Sequence, residues 1–218
     1  MINVQSIVVG ELAANCYIVT DKATGYCAVI DPGDFSDELD KKLKNIGYDK
    51  IKYIILTHAH FDHIAGVNSV IEKTGNKAEV ATGVLDLPAL SDSRINLSKY
   101  FLSSPISDII CNIPLHDGDV LTLGDTVFRI IHTPGHTQGS VCIMCGDAIF
   151  TGDTLFHRSH GRTDFPTGSE IEMRNSLKRL ASLEGNYTIY PGHDDPTTLA
   201  EERIYNPYIS GDLYDNIY

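Results

Sequence analysis

The chain has 218 residues, 42% of them hydrophobic and 21% charged, and a formal net charge of −12. That length can bury a substantial core as one large domain or two small ones. The acidic balance disfavours nucleic acid, whose phosphate backbone needs a basic face, and no apolar run approaches the ~20 residues of a membrane span. The N-terminus lacks the basic and long apolar segments of a signal peptide. The five cysteines, Cys16, Cys27, Cys111, Cys142 and Cys145, have no framework spacing. Cys142 and Cys145 form a C-x-x-C in an apolar run and read as buried thiols, so a cytoplasmic protein is expected.

Residues 2–9, 16–20 and 27–31 are short apolar segments separated by turn residues, the pattern of an opening antiparallel meander. Asp31, before Pro32 and Gly33, ends the third of them as a turn residue. Ser36 then caps a helix whose first turn holds Asp37 and Glu38. Leu39, Leu43 and Ile46 form its apolar face and Gly47 ends it.

A buried strand over 52–56 runs into Thr57-His58-Ala59-His60-Phe61-Asp62-His63. In an extended segment His58 and His60 project to one side, while Ala59 and Phe61 face away. Two imidazoles so placed can ligate one metal ion. Asp62 and His63 add a carboxylate and a third imidazole as the chain turns into a helix expected over 64–73. A run of this kind carries a low risk of chance occurrence.

A short strand follows at 78–81 and a helix at 84–90, and no element is assigned over 91–115. His116 sits in the turn Leu115-His116-Asp117-Gly118-Asp119 and reads as solvated. The strand 127–131 leads into His132-Thr133-Pro134-Gly135-His136-Thr137, where Pro-Gly makes a turn that lifts His136 out of the strand line. His132, on the strand side, reads as structural. Strands at 140–145 and 148–153 follow, the second ending in Asp153. In the loop 157–166 an Arg162–Asp164 pair is expected to brace the site from below, with Arg162 also a candidate substrate contact. Ser169 and Glu172 form a capping box, opening a helix with Met173, Leu177, Leu180 and Ala181 on its inner face. The last apolar strand, 188–191, leads to Gly192-His193.

Four apolar strands thus end in turns carrying metal-binding residue types, an arrangement that puts function at one rim of a rigid sheet. Strand runs in both halves, interspersed with helices, predict an α/β (α+β) fold with two sheets packed face to face and covered by helices. No linker divides the chain, so a single domain over 1–218 is expected.

His58-x-His60-x-Asp62-His63, the T-x-x-H-T of Thr133–Thr137, Asp153 and His193 together resemble the metal-binding positions of the metallo-β-lactamase fold hydrolases. The resemblance implies a four-layer αββα sandwich and two divalent metal ions, zinc first, with iron or manganese as alternatives. It assigns His58, His60 and His136 to one ion, Asp62, His63 and His193 to the other, and Asp153 as the bridge. Asp31 would orient ligands by hydrogen bonds. A water shared by the ions would have its pKa lowered from 15.7 towards about 7 and attack a carbonyl, with Asp62 orienting it as the catalytic carboxylate. Flavodiiron members carry a carboxylate where Ala59 stands, which disfavours diiron redox chemistry.

Within the family, Asn96-Leu97-Ser98, Gly161–Pro166, Pro191-Gly192-His193 and Thr197–Arg203 resemble the short glyoxalase II-like group. That implies a small-molecule partner, a hydroxyacyl thioester, and no nucleic acid or membrane. Gly161–Phe165 also resembles iron-dependent persulfide dioxygenases, the alternative reading, with lactone or phosphoester hydrolysis behind it. The chain runs from His193 only to residue 218, so the helical domain with which glyoxalase II enzymes hold glutathione is not expected. Specificity is left to residues 91–115, to the loop with His157 and His160 at the mouth, and to Tyr205, Tyr208, Tyr214 and Tyr218.

Overall fold

The protein is known from a computed structural model, which describes residues 1–106 and 108–210. Tyr214 and Tyr218 of the expected tyrosine cluster lie outside the described residues.

The opening meander forms as expected: β1 (Ile2–Val9), β2 (Ala14–Asp21) and β3 (Cys27–Ile30) pair antiparallel. To β3 are added β4 (Ile51–Leu56), β5 (Glu79–Gly83) and β6 (Ile113–Leu115), all parallel. The second sheet runs antiparallel through β7 (Val120–Leu123), β8 (Thr126–His132), β9 (Val141–Cys145) and β10 (Ala148–Gly152). Then β11 (Thr188–Pro191) joins β10 in parallel and β12 (Thr197–Thr198) closes the edge, giving two six-stranded sheets.

Both faces of the central strands are covered, so they read as continuous apolar runs rather than alternating ones. Tyr17, Val19, Ile30 and Ile55 of the first sheet meet Phe128, Ile130, Ile143 and Phe150 of the second in an inner core. Outside the first sheet, α1 (Asp37–Ile46) and α3 (Val67–Lys73) pack Leu39, Leu43, Val67 and Val70 on Ile18, Val29 and Ile54. Outside the second, α5 (Glu170–Ala181) packs Met173, Leu177 and Leu180 on Ile131, Cys142 and Ile149. The order helix, sheet, sheet, helix is the αββα sandwich that was expected. The side-chain alternation of β9 sends Cys142 to the outer core and Cys145 to the inner one. The C-x-x-C thiols therefore cannot meet, and burial pushes both up to about 11.

Two expectations about local structure need correction. The helix expected over 64–73 is two: α2 (Phe61–Ile64) and, after a break at Ala65-Gly66, α3. The break has a packing cause. Gly66 donates its N–H to the Pro32 carbonyl, and a Cβ there would lie 2.7 Å from the Asp34 backbone. Phe61, expected to face away from the histidines, instead starts α2 and lines the same cavity as His60. The helix expected over 84–90 forms with those bounds, as a 3-10 helix containing Pro88. Within 91–115, α4 (Ser98–Phe101) follows Asn96, whose side chain donates to the Ala89 carbonyl and accepts from the Ser98 N–H. Completing the helices, α6 (Leu199–Tyr205) and α7 (Pro207–Ser210) lie against α5. Among the described residues, no helix is long and apolar enough to cross a membrane.

Candidate metal centre

The ends of β4, β8, β10 and β11 converge at one rim of the sandwich. Seven side chains meet there in three overlapping trios: His58–His60–His136, His58–His63–Asp153 and Asp62–His63–His193. Within each trio the ligand-type atoms lie within 4.8 Å of one another. His58, His60, His63 and His136 are buried, while His193 keeps 21% of its side chain exposed.

Local hydrogen bonds aim these groups inward. The Thr57 N–H and hydroxyl donate to the two oxygens of Asp31, at 2.7 and 2.6 Å, which pins the chain where β4 becomes the histidine turn. Asp31 also holds His63 Nδ1 at 3.1 Å, leaving Nε2 pointing to the centre. His136 Nδ1 donates to the Arg162 carbonyl at 2.7 Å, so its Nε2 presents a lone pair inward. The His193 turn is gripped from the first sheet. Asn15 Nδ2 donates to the Pro191 and Asp194 carbonyls, and Tyr17 Oη donates to Pro191 at 2.6 Å.

Asp153 faces both sides of the cluster. Its Oδ1 lies 3.5 Å from His63 Nε2, and its Oδ2 lies 3.4 Å from His136 Nε2 and 3.7 Å from His193 Nε2. Asp62 Oδ2 lies 3.3 Å from His193 Nε2 and 3.6 Å from His63 Nε2.

Burial, reinforced by neighbouring imidazoles, holds His58 and His60 well below the ordinary histidine range, so both are neutral ligands in waiting. Burial also opposes a charge on His63, but Asp62, Asp153 and Asp31 outweigh it and push its pKa up to about 10. For Asp62, burial favours the neutral acid, yet His63 and His193 outweigh it and hold the carboxyl well below its usual range. Four buried polar atoms here, His58 Nε2, His60 Nε2, His63 Nε2 and Asp153 Oδ1, have no hydrogen-bond partner. Buried polar groups are rarely left this way, and an unfilled ligand set is one of the few explanations. The donor set of imidazoles and carboxylates fits divalent zinc, iron or manganese.

Above the cluster opens a cavity of about 480 Å³, walled by Leu12, Phe61, Leu97, Phe101, Phe156 and Phe165. Phe61 and Phe101 stack with centroids 5.1 Å apart, so the otherwise unassigned 91–115 segment supplies one wall. Arg162 is the cation at the mouth. It makes the bidentate pair with Asp164, both bonds 2.7 Å, and lies 3.8 Å over the Phe165 ring. That pair is more than half exposed and braces little; it is the Arg162 backbone that holds the site, through His136. His157 and His160, expected at the mouth, do not line the cavity. His157 faces Glu201, and His160 packs on Tyr208. His116 is exposed beside Asp119, and His132 Nε2 lies 2.9 Å from the Gln138 carbonyl.

Sequence reasoning passed over Tyr17 and Asp86, whose partners are far away along the chain. An apolar strand tyrosine and an aspartate in a helical turn carry no signal of such a role.

A sequence profile of the metallo-β-lactamase superfamily matches residues 9–193. Among solved structures, BLEG-1 B3 metallo-β-lactamase superposes with a TM-score of 0.87 at 29% identity, over 96% of this chain and 100% of that one. TTHA1623, in a di-iron-bound form, gives 0.81 at 32% identity, over 94% of this chain and 99% of that one. ETHE1 from Myxococcus xanthus gives 0.77 at 30% identity, over 96% and 85%. With the two-sheet sandwich and the cluster at its rim, this match places the chain in the metallo-β-lactamase superfamily.

Proposed function

We propose that the protein is a metal-dependent hydrolase of the glyoxalase II-like type, cleaving a small hydroxyacyl thioester. His58, His60 and His136 would hold one divalent ion, zinc by preference, and Asp62, His63 and His193 a second, with Asp153 shared. The observation that carries this reading is the convergence of seven side chains in three overlapping trios, the ligand-type atoms of each within 4.8 Å, among which buried atoms on His58, His60, His63 and Asp153 have no hydrogen-bond partner. Asp153, with Oδ1 beside His63 and Oδ2 beside both His136 and His193, meets members of both ligand sets, which supports its shared role. When bound, the ions supply an acidified water and stabilise negative charge developing on the acyl oxygen.

The chain's own groups do the rest. Asp62, kept ionised by His63 and His193, is an acceptor that can orient the attacking water. At the neutral His58 and His60 protons compete little with an incoming ion for the imidazole lone pair, whereas the proton on His63 must leave as the second ion enters. Leu12, Phe61, Leu97, Phe101, Phe156 and Phe165 offer an apolar wall to the substrate beside the cluster. Arg162, already paired with Asp164, offers little to a carboxylate on the thiol half. Little binding energy then comes from the thiol, so several thiols are accepted and saturation is weak.

Iron-dependent persulfide dioxygenase is the second reading, favoured by Gly161–Phe165 and by the likeness to ETHE1. The test is zinc-loaded protein under nitrogen with S-lactoyl thioesters of different thiols. Free thiol should appear in step with acid. If zinc protein is inert to every thioester while iron protein consumes oxygen with a persulfide, the second reading replaces the first.

A further inference from the structure

Asp86 belongs to none of the three trios, yet it touches the loops that carry one of them. It sits just after β5 and is 3% exposed. Its Oδ2 accepts from the Ala59 N–H at 3.0 Å and from the Thr137 hydroxyl at 2.8 Å, and its Oδ1 accepts from the Gly139 N–H at 2.9 Å. Ala59 is the residue between His58 and His60, and Thr137 follows His136. One buried carboxylate in the 3-10 helix after β5 therefore ties the histidine turn after β4 to the histidine turn after β8 on the opposite sheet.

The fit is close. A Cβ on Gly139 would lie 2.3 Å from the Asp86 nitrogen and 2.5 Å from its Cγ, so only glycine lets this backbone reach the carboxylate. Burial raises the Asp86 pKa, and the bonds from Thr137, Ala59 and Gly139 oppose that rise. The other trio is served differently. Asp31 holds His63 Nδ1 directly, on the side of Asp62 and His193, and reaches His58 Nδ1 only through the Thr57 hydroxyl that it accepts from.

We propose that Asp86 is a positioning residue for His58, His60 and His136, setting their mutual spacing without contacting an ion or substrate. The proposal rests on the metal reading above. It differs from a general structural role in being one-sided: the trio linked through Ala59 and Thr137 depends on Asp86, and Asp62–His63–His193 does not. An ion is held well only when its ligands are placed to within about half an ångström, and groups behind the ligands set that placement.

The test is stepwise cobalt(II) titration of metal-free protein against a chelator, following the visible cobalt bands, for wild type, Asp86→Asn and Thr137→Val. Asparagine matches the shape, but its NH2 must oppose at least one of the three donors. Asp86→Asn should weaken one of the two binding steps by about 10- to 100-fold and alter that ion's bands. The other step should stay as in wild type. Thr137→Val, which removes only one of the three bonds, should weaken the same step by less, and it keeps the proposal testable if Asp86→Asn does not fold. Unchanged steps and bands in the variants overturn the proposal. So does equal weakening of both steps, which would make Asp86 merely structural. Wild-type protein that binds no cobalt overturns the metal reading itself, an outcome distinct from either.

Discussion

At the scale of the residue, the centre depends on how few groups serve two partners at once. Asp153 is the clearest, with one oxygen towards His63 and the other towards His136 and His193. Asp153→Asn keeps the size and removes the charge, and should lower metal content and cut turnover by at least about 10-fold. His132→Ala should leave metal content unchanged, because its ring meets the Gln138 carbonyl instead of the cluster. Metal analysis of the two purified variants beside wild type checks both. An Asp153→Asn protein with full metal and full rate would remove the shared role. The seven clustered residues were legible in the sequence for a physical reason. Four of them fall within six consecutive positions, and the others follow strand-to-turn transitions marked by Pro-Gly, Gly-Asp and Pro-Gly-His. Asp86, Tyr17 and the Arg162 carbonyl were not legible, because each acts through a partner brought near only by the packing of the two sheets.

At the scale of the element, α6 shows how a distant helix sets a wall of the cavity. Glu202 on α6 is fully buried. It accepts from the Arg158 N–H at 2.8 Å, the Thr197 hydroxyl at 2.7 Å and Asn206 Nδ2 at 2.9 Å. Asn206 in turn donates to the Ser159 carbonyl, so the turn that begins at Phe156 is held from behind. Glu202→Ala would leave buried donors without an acceptor, at a cost of about 1–3 kcal/mol. For a chain of this size that is a fall of roughly 2–10 °C in melting temperature. Thermal unfolding by circular dichroism measures it, and an unchanged midpoint would contradict this account of α6. The sequence located α1 and α5 well, since Ser36 and Ser169 cap them as expected; of the capping box only the Ser169 half forms, because the Ser169 N–H donates to the Gly135 carbonyl instead of Glu172. It merged α2 with α3 because the break at Gly66 arises from contact with Pro32 and Asp34, not from local propensity.

At the scale of the whole molecule, the two sheets are joined at the end away from the centre as well. Asp21, at the end of β2, accepts from the Thr24 hydroxyl, the Thr126 hydroxyl and the Asp125 N–H. The last two belong to the β7–β8 hairpin of the opposite sheet. These hydrogen bonds, Thr24 foremost, lower its pKa from 3.8 to about 2. The folded state therefore binds this proton less readily than the unfolded state. The stabilisation is complete above the unfolded value and is lost as pH falls towards the folded one. Asp21→Asn should lower the urea midpoint at about pH 6 and lose much of that deficit by about pH 3. A deficit of equal size at both would refute it. The fold class was legible because strand runs in both halves had to be buried on two faces; the cavity wall from 91–115 was not, since its short helix and left-handed Leu97 depend on the packing around Asn96.

The central claim is that His58, His60, Asp62, His63, His136, Asp153 and His193 together hold two divalent ions. Native mass spectrometry of the chain, stripped of metal and then titrated with zinc, tests it most directly. The account predicts saturation at two ions per chain, with the second entering more readily as pH rises because His63 must release a proton. Saturation at a single ion, or no retained zinc at all, would contradict it.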